Sequence, residues 1–416
     1  MSFGIALRGG LAALCLVSGT ALSPLMAFAA GGTAPLQIVV TKDSQSLVVY
    51  DGDTVVATSR VSTGKKGHAT PTGIFSVLEK RRMHHSNIYS NAPMPFMQRL
   101  TWSGIALHAS NSVPSYPASH GCVRLPNAFA PELYKMTTRG VHVIISDREV
   151  VPAEVSDAWL FQPEKPAPQL LSDATLRLGM EHTGSVEVAM NAAPSGADAA
   201  KVTTPASDEP PIRMLITRRG ERETTAALQA VLHGLGYDAG IADGVVGPKT
   251  REAIRLFQGR QGMMVTGKIS DALVHAVYIA AGQPEPGNAH LMVRQNFAPL
   301  FDVPVTIRDP AVALGTHFLQ FQDIDSASGK GRWFGVTMDN ALSTATKARL
   351  GITADADQNA TIAETLARIT ISADVRARIG ALLAEGSSLT ISDTGLGPET
   401  GHGTDFVTLT RPASKS

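Results

Sequence analysis

The sequence predicts a multidomain α+β protein: a β-rich domain over residues 36–148, a small helical domain over 213–281, and an α+β region over 291–412. Three observations carry this. Short β-branched runs broken by Gly, Asp and Ser open the chain, apolar residues at helical spacing occupy its middle, and a Pro-, Ala-, Ser- and Thr-rich stretch over 163–211 separates the two. A length of 416 residues leaves room for two or three such domains.

Residues 1–29 read as a secretory signal peptide. Arg8 supplies the basic point, Leu11 to Val17 the apolar run, and Ala27-Phe28-Ala29 a small-residue cleavage site. The run is interrupted by Gly19 and Pro24 and is short for a membrane span. Leu14 before Cys15 does not suit lipoprotein processing, which needs a small residue there. Cleavage therefore removes Cys15 and leaves Cys122 as the single thiol of an exported chain, where no internal disulfide can occupy it. Net charge is zero, with no basic stripe, so nucleic acid has no electrostatic footprint to use. No later segment approaches the length of a membrane helix.

Leu36 to Val40, Leu47 to Tyr50 and Val55 to Val61 read as a strand meander turned by Gly64 and Gly67. Lys65 and Lys66 read as a solvated loop. Arg81 to Gln98, polar and rich in Asn, Pro and Met, reads as a long surface loop that shapes a groove. His84 and His85 lie in it with no third ligand at a recognisable spacing, so no metal is expected. Alternation around Ile105 and Leu107 ends a strand at His108, and Val123 and Leu125 begin another after Cys122. Phe129, Leu133 and Met136 fall at helical spacing, and Val141 to Ile145 closes the domain. Between these elements Cys122 follows His120 by two residues and His108 by fourteen. A thiol with imidazoles to accept its proton is a nucleophile in the making, since a free cysteine is only a few per cent thiolate at neutral pH. Gly121 permits a sharp turn and would leave peptide N–H groups free for an oxyanion.

Leu107-His108 followed by Ser119-His120-Gly121-Cys122-Val123-Arg124 resembles the signature of the L,D-transpeptidases of the YkuD type, a histidine and then, after a loop, [S/T]-H-G-C. The resemblance takes in Val61-Ser62-Thr63-Gly64, Thr70-Pro71-Thr72-Gly73 and Ala92-Pro93-Met94-Pro95-Phe96, and covers about 36–147. The loop from Ala109 to Ala118 is shorter than the spacing usually written for that family. The resemblance implies Cys122 as nucleophile, His108 as its base and His120 as an assisting group. It also places Ser119, Gly121 and Arg124 in the oxyanion and substrate-positioning shell, where Arg124 either meets a substrate carboxylate or pairs within the fold.

Residues 163–211 read as a linker, with Leu170 to Leu178 as a short amphipathic stretch. Beyond it, Leu228, Val231 and Leu232 share one helical face, and Ala253, Ile254 and Phe257 another. Between them runs Asp243-Gly244-Val245-Val246-Gly247-Pro248-Lys249-Thr250, with Thr250 placed to cap the next helix. This unit resembles the three-helix peptidoglycan-binding module. In the C-terminal region, Val123 to Asp147 lies on Ile369 to Asp393 without a gap, and Trp102–His108 resembles Trp333–Asp339. The region is read as a degenerate repeat of the first domain, with Arg368 in the cysteine position, Leu366 in that of His120 and Asp339 in that of His108. Gly395 to Gly403 reads as turns.

The resemblances together imply a periplasmic enzyme of the cell wall that needs no cofactor. Its Cys122 would attack a peptidoglycan tetrapeptide stem and pass the acyl group to a second stem's amine as a 3→3 cross-link. Hydrolysis, terminal amino-acid exchange or attachment of a protein amine would use the same thioester. A non-catalytic wall-binding scaffold is the alternative from another class. A carbapenem, expected to acylate a poised Cys122 and not an ordinary thiol, separates them.

Overall fold

In this computed structural model the β-branched runs form a meander in which β1 (Gln37–Thr41), β2 (Ser46–Asp51) and β3 (Thr54–Arg60) pair antiparallel in order. The structure describes residues 35–88, 91–163, 210–325, 327–356 and 361–411. The expected signal peptide, Cys15 and nearly all of the expected linker, Leu170 to Leu178 included, lie outside the described residues.

After the meander come β4 (Thr72–Ser76), β5 (Glu79–Arg81), β6 (Met97–Arg99), β7 (Ala106–Ser110) and β8 (Val123–Pro126), then α1 (Ala130–Met136), β9 (His142–Ser146) and β10 (Ala153–Val155). β9 lies parallel to β1 and antiparallel to β4, while β5 to β8 make a separate four-stranded sheet in chain order. Successive side chains of a strand face opposite ways. Ile38, Val40, Val143 and Ile145 therefore point together at Leu107, Ala109, Val123 and Leu125 of the small sheet and at Leu133 of α1. This core holds β7 and β8 by one face and leaves the other for chemistry. The remaining face of the large sheet is also covered: Val39, Ile74 and Ile144 pack on Phe318, Val336 and Met338. Burial on both sides is why β1, β4 and β9 are buried at every position.

The second half begins with a strand. β11 (Arg213–Arg218) is followed by α2 (Glu221–Gly234), α3 (Pro248–Arg260) and α4 (Asp271–Ala280), and then by β12 (Ala289–Gln295), to which β11 is paired. The helical unit is thus 221–280, inserted in a hairpin, and the boundary expected at 213 is corrected. The α+β region correspondingly starts before the module and not at 291. Met214, Leu215, Ile216 and Thr217 form a run too short to separate strand from helix by period. Leu228, Leu232, Ile254, Phe257, Leu273 and Val277 form the module's own core. Thr250 does not cap α3. Gly247 stands at the N-cap with Pro248 next, and the buried Thr250 hydroxyl donates to Ala239 O at 2.9 Å.

The chain continues through β13 (Ala298–Ile307), β14 (Thr316–Gln322), β15 (Arg332–Met338), α5 (Thr344–Leu350), α6 (Ile362–Ala367), β16 (Ile369–Thr370), α7 (Ala373–Leu382), β17 (Ser388–Ser392) and β18 (Thr408–Thr410). Eight strands form a sheet in the order β10-β15-β14-β17-β11-β12-β13-β16, and β18 joins the first sheet beside β4. The expected match of Trp333–Asp339 with Trp102–His108 fails: β15 pairs with β14 and β10, whereas β7 pairs with β6 and β8. Asp339 does not occupy a base position; it is ion-paired with Arg148. A shared Trp-x-Gly spacing was insufficient to fix strand partners. Among the described residues no helix is long and apolar enough to cross a membrane.

His142 is buried between the sheets, stacked on Phe318 at 4.6 Å between ring centroids, and burial followed by the charge of Arg213 holds it well below its ordinary pKa. The native state thus binds fewer protons than the unfolded one below about pH 6.5, and stability is lost as pH falls through that value. Urea midpoints at pH 7.5 and 5.5 are expected to fall with acid, with a slope of at most about 1.4 kcal/mol per pH unit from this residue. His142→Gln should flatten that dependence.

Candidate active site

Cys122 immediately precedes β8, and parallel pairing sets Leu107 beside Val123 and His108 beside Arg124. Since Leu107, Ala109, Val123 and Leu125 face the core, Ala106, His108, Cys122 and Arg124 share the opposite face. The register sets Cys122 across from Ala106, so Cys122 and His108 stand diagonally on that face. Cys122 packs beside Met94, Met97 and Ala106, and its thiol donates to Gly104 O at 3.3 Å.

His108 Nδ1 donates to Ala109 O at 2.8 Å, which fixes the tautomer with a proton on Nδ1 and leaves Nε2 as the acceptor. Burial lowers the His108 pKa, with the Ala109 carbonyl opposing and Arg124 lowering it further. Burial raises the thiol of Cys122, against the Ala106 N–H and the charges of Arg99 and Arg124. Each shift favours the neutral form of its group.

The turn before Cys122 is built by Ser119. Its hydroxyl donates to Cys122 O at 2.5 Å and accepts the Gly121 N–H at 3.1 Å. The Gly121 N–H is therefore committed to the turn. Gly121 has φ 116°, and a Cβ there would meet Ile105 at 3.0 Å, so no larger residue suits the position. His120 is exposed, and its pKa is lowered by partial desolvation and by Lys65, His68 and Arg124.

The loop that carries Lys65 and Lys66 forms one wall. Ser62 and Arg124 exchange backbone hydrogen bonds, Ala118 and Ser119 N–H groups both donate to Thr63 O, and Lys65 N–H donates to Ser119 O. The buried Thr70 hydroxyl accepts the Gly64 N–H and donates to Gly121 O, at 2.8 and 2.7 Å. On this loop His68 meets His120 edge to face at 4.9 Å. Nothing along the chain singles out His68, because loop pairing alone brings it to the site. Thr70→Val leaves two buried backbone groups unpaired. It is expected to lower stability by about 1–3 kcal/mol and to slow acylation of Cys122, as measured by thermal melts and carbapenem labelling.

Residues 81–88 and 91–98 run alongside each other as a ribbon, with Phe96 N–H donating to Arg82 O, Met94 N–H to His84 O, and Ser86 N–H to Ala92 O. His84 contacts Arg99 at 3.4 Å and His85 bridges to Pro93, so the ribbon takes up both histidines. Trp102, Ile88 and Tyr116 are exposed around the site.

Residues 35–145 match the family model of the L,D-transpeptidase catalytic domain. This segment carries an L,D-transpeptidase domain. Residues 221–276 match a peptidoglycan binding domain, coinciding with the inserted helices. Similar solved structures include L,D-transpeptidases from Mycobacterium smegmatis (24% identity, TM-score 0.26) and Stackebrandtia nassauensis (27%, 0.25). Another is that from Xylanimonas cellulosilytica (30%, 0.25). Each likeness covers 26–27% of this chain and 54–61% of the other, so this chain spans less than two thirds of those proteins. No curated protein matches the chain. The L,D-transpeptidase domain thus coincides with the sheets that carry Cys122 and His108, and the peptidoglycan-binding match with the module in the second half.

Proposed function

We propose that the protein is an exported cysteine L,D-transpeptidase of the cell wall, delivered by residues 1–29 to the periplasm. The observation that carries this reading is the shared face of β7 and β8. Cys122 and His108 share that face diagonally, His108 Nδ1 is tied to Ala109 O, and in this reading Nε2 takes the thiol proton. Cys122 Sγ attacks the carbonyl between the third residue and the terminal D-alanine of a tetrapeptide stem. The S–C bond forms as His108 accepts the proton, the C–N bond then breaks, and His108 returns the proton to the departing D-alanine amine. The thioester is resolved by the side-chain amine of a second stem, giving a 3→3 cross-link and the free thiol. In this reading His120, edge to face with His68, takes the proton of the acceptor amine, and Arg124, on the same face of β8 as Cys122, meets the substrate. Carboxylates and amines of stem peptides are the partners, and the helices at 221–280 hold the enzyme to the wall.

Incubation of full-length protein lacking residues 1–29 with disaccharide tetrapeptide tests this by mass spectrometry. A cross-linked dimer with release of one D-alanine is the expected product. Tripeptide and D-alanine alone would move the reading to hydrolysis, and unchanged substrate would favour a scaffold.

A further inference from the structure

We propose that residues 210–411 are a catalytically dead second copy of the L,D-transpeptidase fold that serves as the built-in dimer partner of the first, closing its open sheet face and its open edge.

The registers of the two large sheets correspond strand by strand, while β15, α5 and α6 stand between β14 and β16 where β5, β6 and β7 stand between β4 and β8. The first sheet runs β4-β9-β1-β2-β3, and within the second runs β14-β17-β11-β12-β13. Gln37 pairs with His142 in the parallel ladder β1–β9, and Arg213 with Ser388 in the parallel ladder β11–β17. Ser46 opposes Arg60 in one hairpin and His290 opposes Pro304 in the other. The hairpins even share a bulge, between Val49 and Tyr50 in the first and between Val293 and Arg294 in the second. The bridge Ser62–Arg124 recurs as Thr306–Thr370, and the ion pair Lys42–Asp147 as Arg218–Asp393. A bulge and an ion pair at matched positions are not demanded by a shared helix-then-strand pattern; two copies of one fold account for them. The helical module replaces the tight turn that joins β1 to β2.

The second copy has no thiol chemistry. Arg368 stands one residue before β16, as Cys122 stands before β8, and donates to the backbone carbonyls of Asp309, Val312 and Ala313 at 2.7–3.0 Å. These belong to the counterpart of the Lys65–Ala69 loop, so the guanidinium ties shut the place where a substrate would lie.

The contact between the copies has the form of a two-fold dimer. His142 and Ser388, 246 residues apart and equivalent in the two ladders, touch each other through Nε2 and Oγ at 3.2 Å. A residue meets its own counterpart only on a dyad. Arg213 donates to both Gly140 O and Gly386 O, again an equivalent pair. The segments after the last ladder strand are exchanged. Leu160 and Phe161 enter the core of the second copy beside Trp333, whose indole N–H donates to Phe161 O at 2.8 Å. Val407 enters the core of the first, and β18 pairs with β4 from Thr72 to Ile74, directly after the Thr70 wall of the active site. The second copy therefore braces the loop that frames Cys122.

The test places a protease site within 164–209 of the full chain and cleaves it after folding. The halves are expected to remain a one-to-one complex by size exclusion and native mass, with carbapenem acylation of Cys122 within about twofold of the uncleaved rate. Phe318→Asp in the same background is expected to part them, with acylation of the freed catalytic half falling at least tenfold or that half aggregating. Unsubstituted halves that separate, with a monomeric catalytic half labelled at the uncleaved rate, would overturn the proposal. Association is read without any chemistry, so a complex that holds together but never acylates would count against the transpeptidase reading and leave this one standing.

Discussion

Cys122→Ala abolishes cross-linked product and carbapenem adduct together, a loss of at least about 10⁴-fold, while the melting temperature stays within a few degrees of the parent. The size follows from the proposed chemistry: there the thiol makes the covalent intermediate, and Cys122 is the free thiol among the described residues. The small thermal effect follows from place. Cys122 is only partly buried, on the side of β8 that faces away from the Leu107, Val123 and Leu125 core. Cys122→Ser keeps the shape and the Gly104 contact but presents a far less acidic hydroxyl, and it is expected to be equally inactive. Product from either variant, measured by mass spectrometry against the same stem peptide, would place the chemistry elsewhere.

His108→Gln is expected to slow acylation by 10²- to 10⁴-fold, the usual range for loss of a general base. Its pH profile carries more than its magnitude. Burial lowers the His108 pKa, so the neutral base persists further into acid than a free imidazole at about 6.5. Burial also raises the Cys122 thiol, so thiolate is scarce at neutral pH. The parent rate should rise from acid with a midpoint below about 6.5 and stay level from pH 7 to 8. In His108→Gln the acid limb should vanish, leaving a slow rate that climbs only as the thiol ionises, above about pH 8.5. A parent profile that climbed through the thiol range would show that His108 is not the base.

The site was legible in the sequence because its parts are close along the chain. Ser119 to Arg124 are consecutive, and strand alternation around Leu107 and Val123 places His108 and Cys122 on one face before any coordinates are known. What stayed hidden depends on pairing between distant segments. His68 reaches His120 only because the Thr63 carbonyl collects the Ala118 and Ser119 N–H groups and Thr70 ties down Gly121. The Gly121 N–H is consumed by a neighbour's side chain, which composition cannot reveal. β11 was absorbed into the helical module because its partners, β12 and β17, lie beyond an insertion and a further domain's length. The Ile369–Asp393 alignment rested on a run of matched positions, and those positions form β16, α7 and β17; the shorter Trp333–Asp339 match had no such length, and β15 pairs differently.

In the proposed mechanism Cys122 is the nucleophile, acylated by a stem peptide with His108 as base. Its most direct test is the intact mass of full-length protein lacking residues 1–29 and quenched in acid seconds after mixing with disaccharide tetrapeptide donor, followed by peptide mapping. The expected result is a mass gain equal to the donor less one D-alanine, on the peptide that contains Cys122, present in the parent and strongly reduced in His108→Gln. An adduct on any other residue, or turnover to cross-linked product with no acyl-enzyme at any quench time, would contradict it.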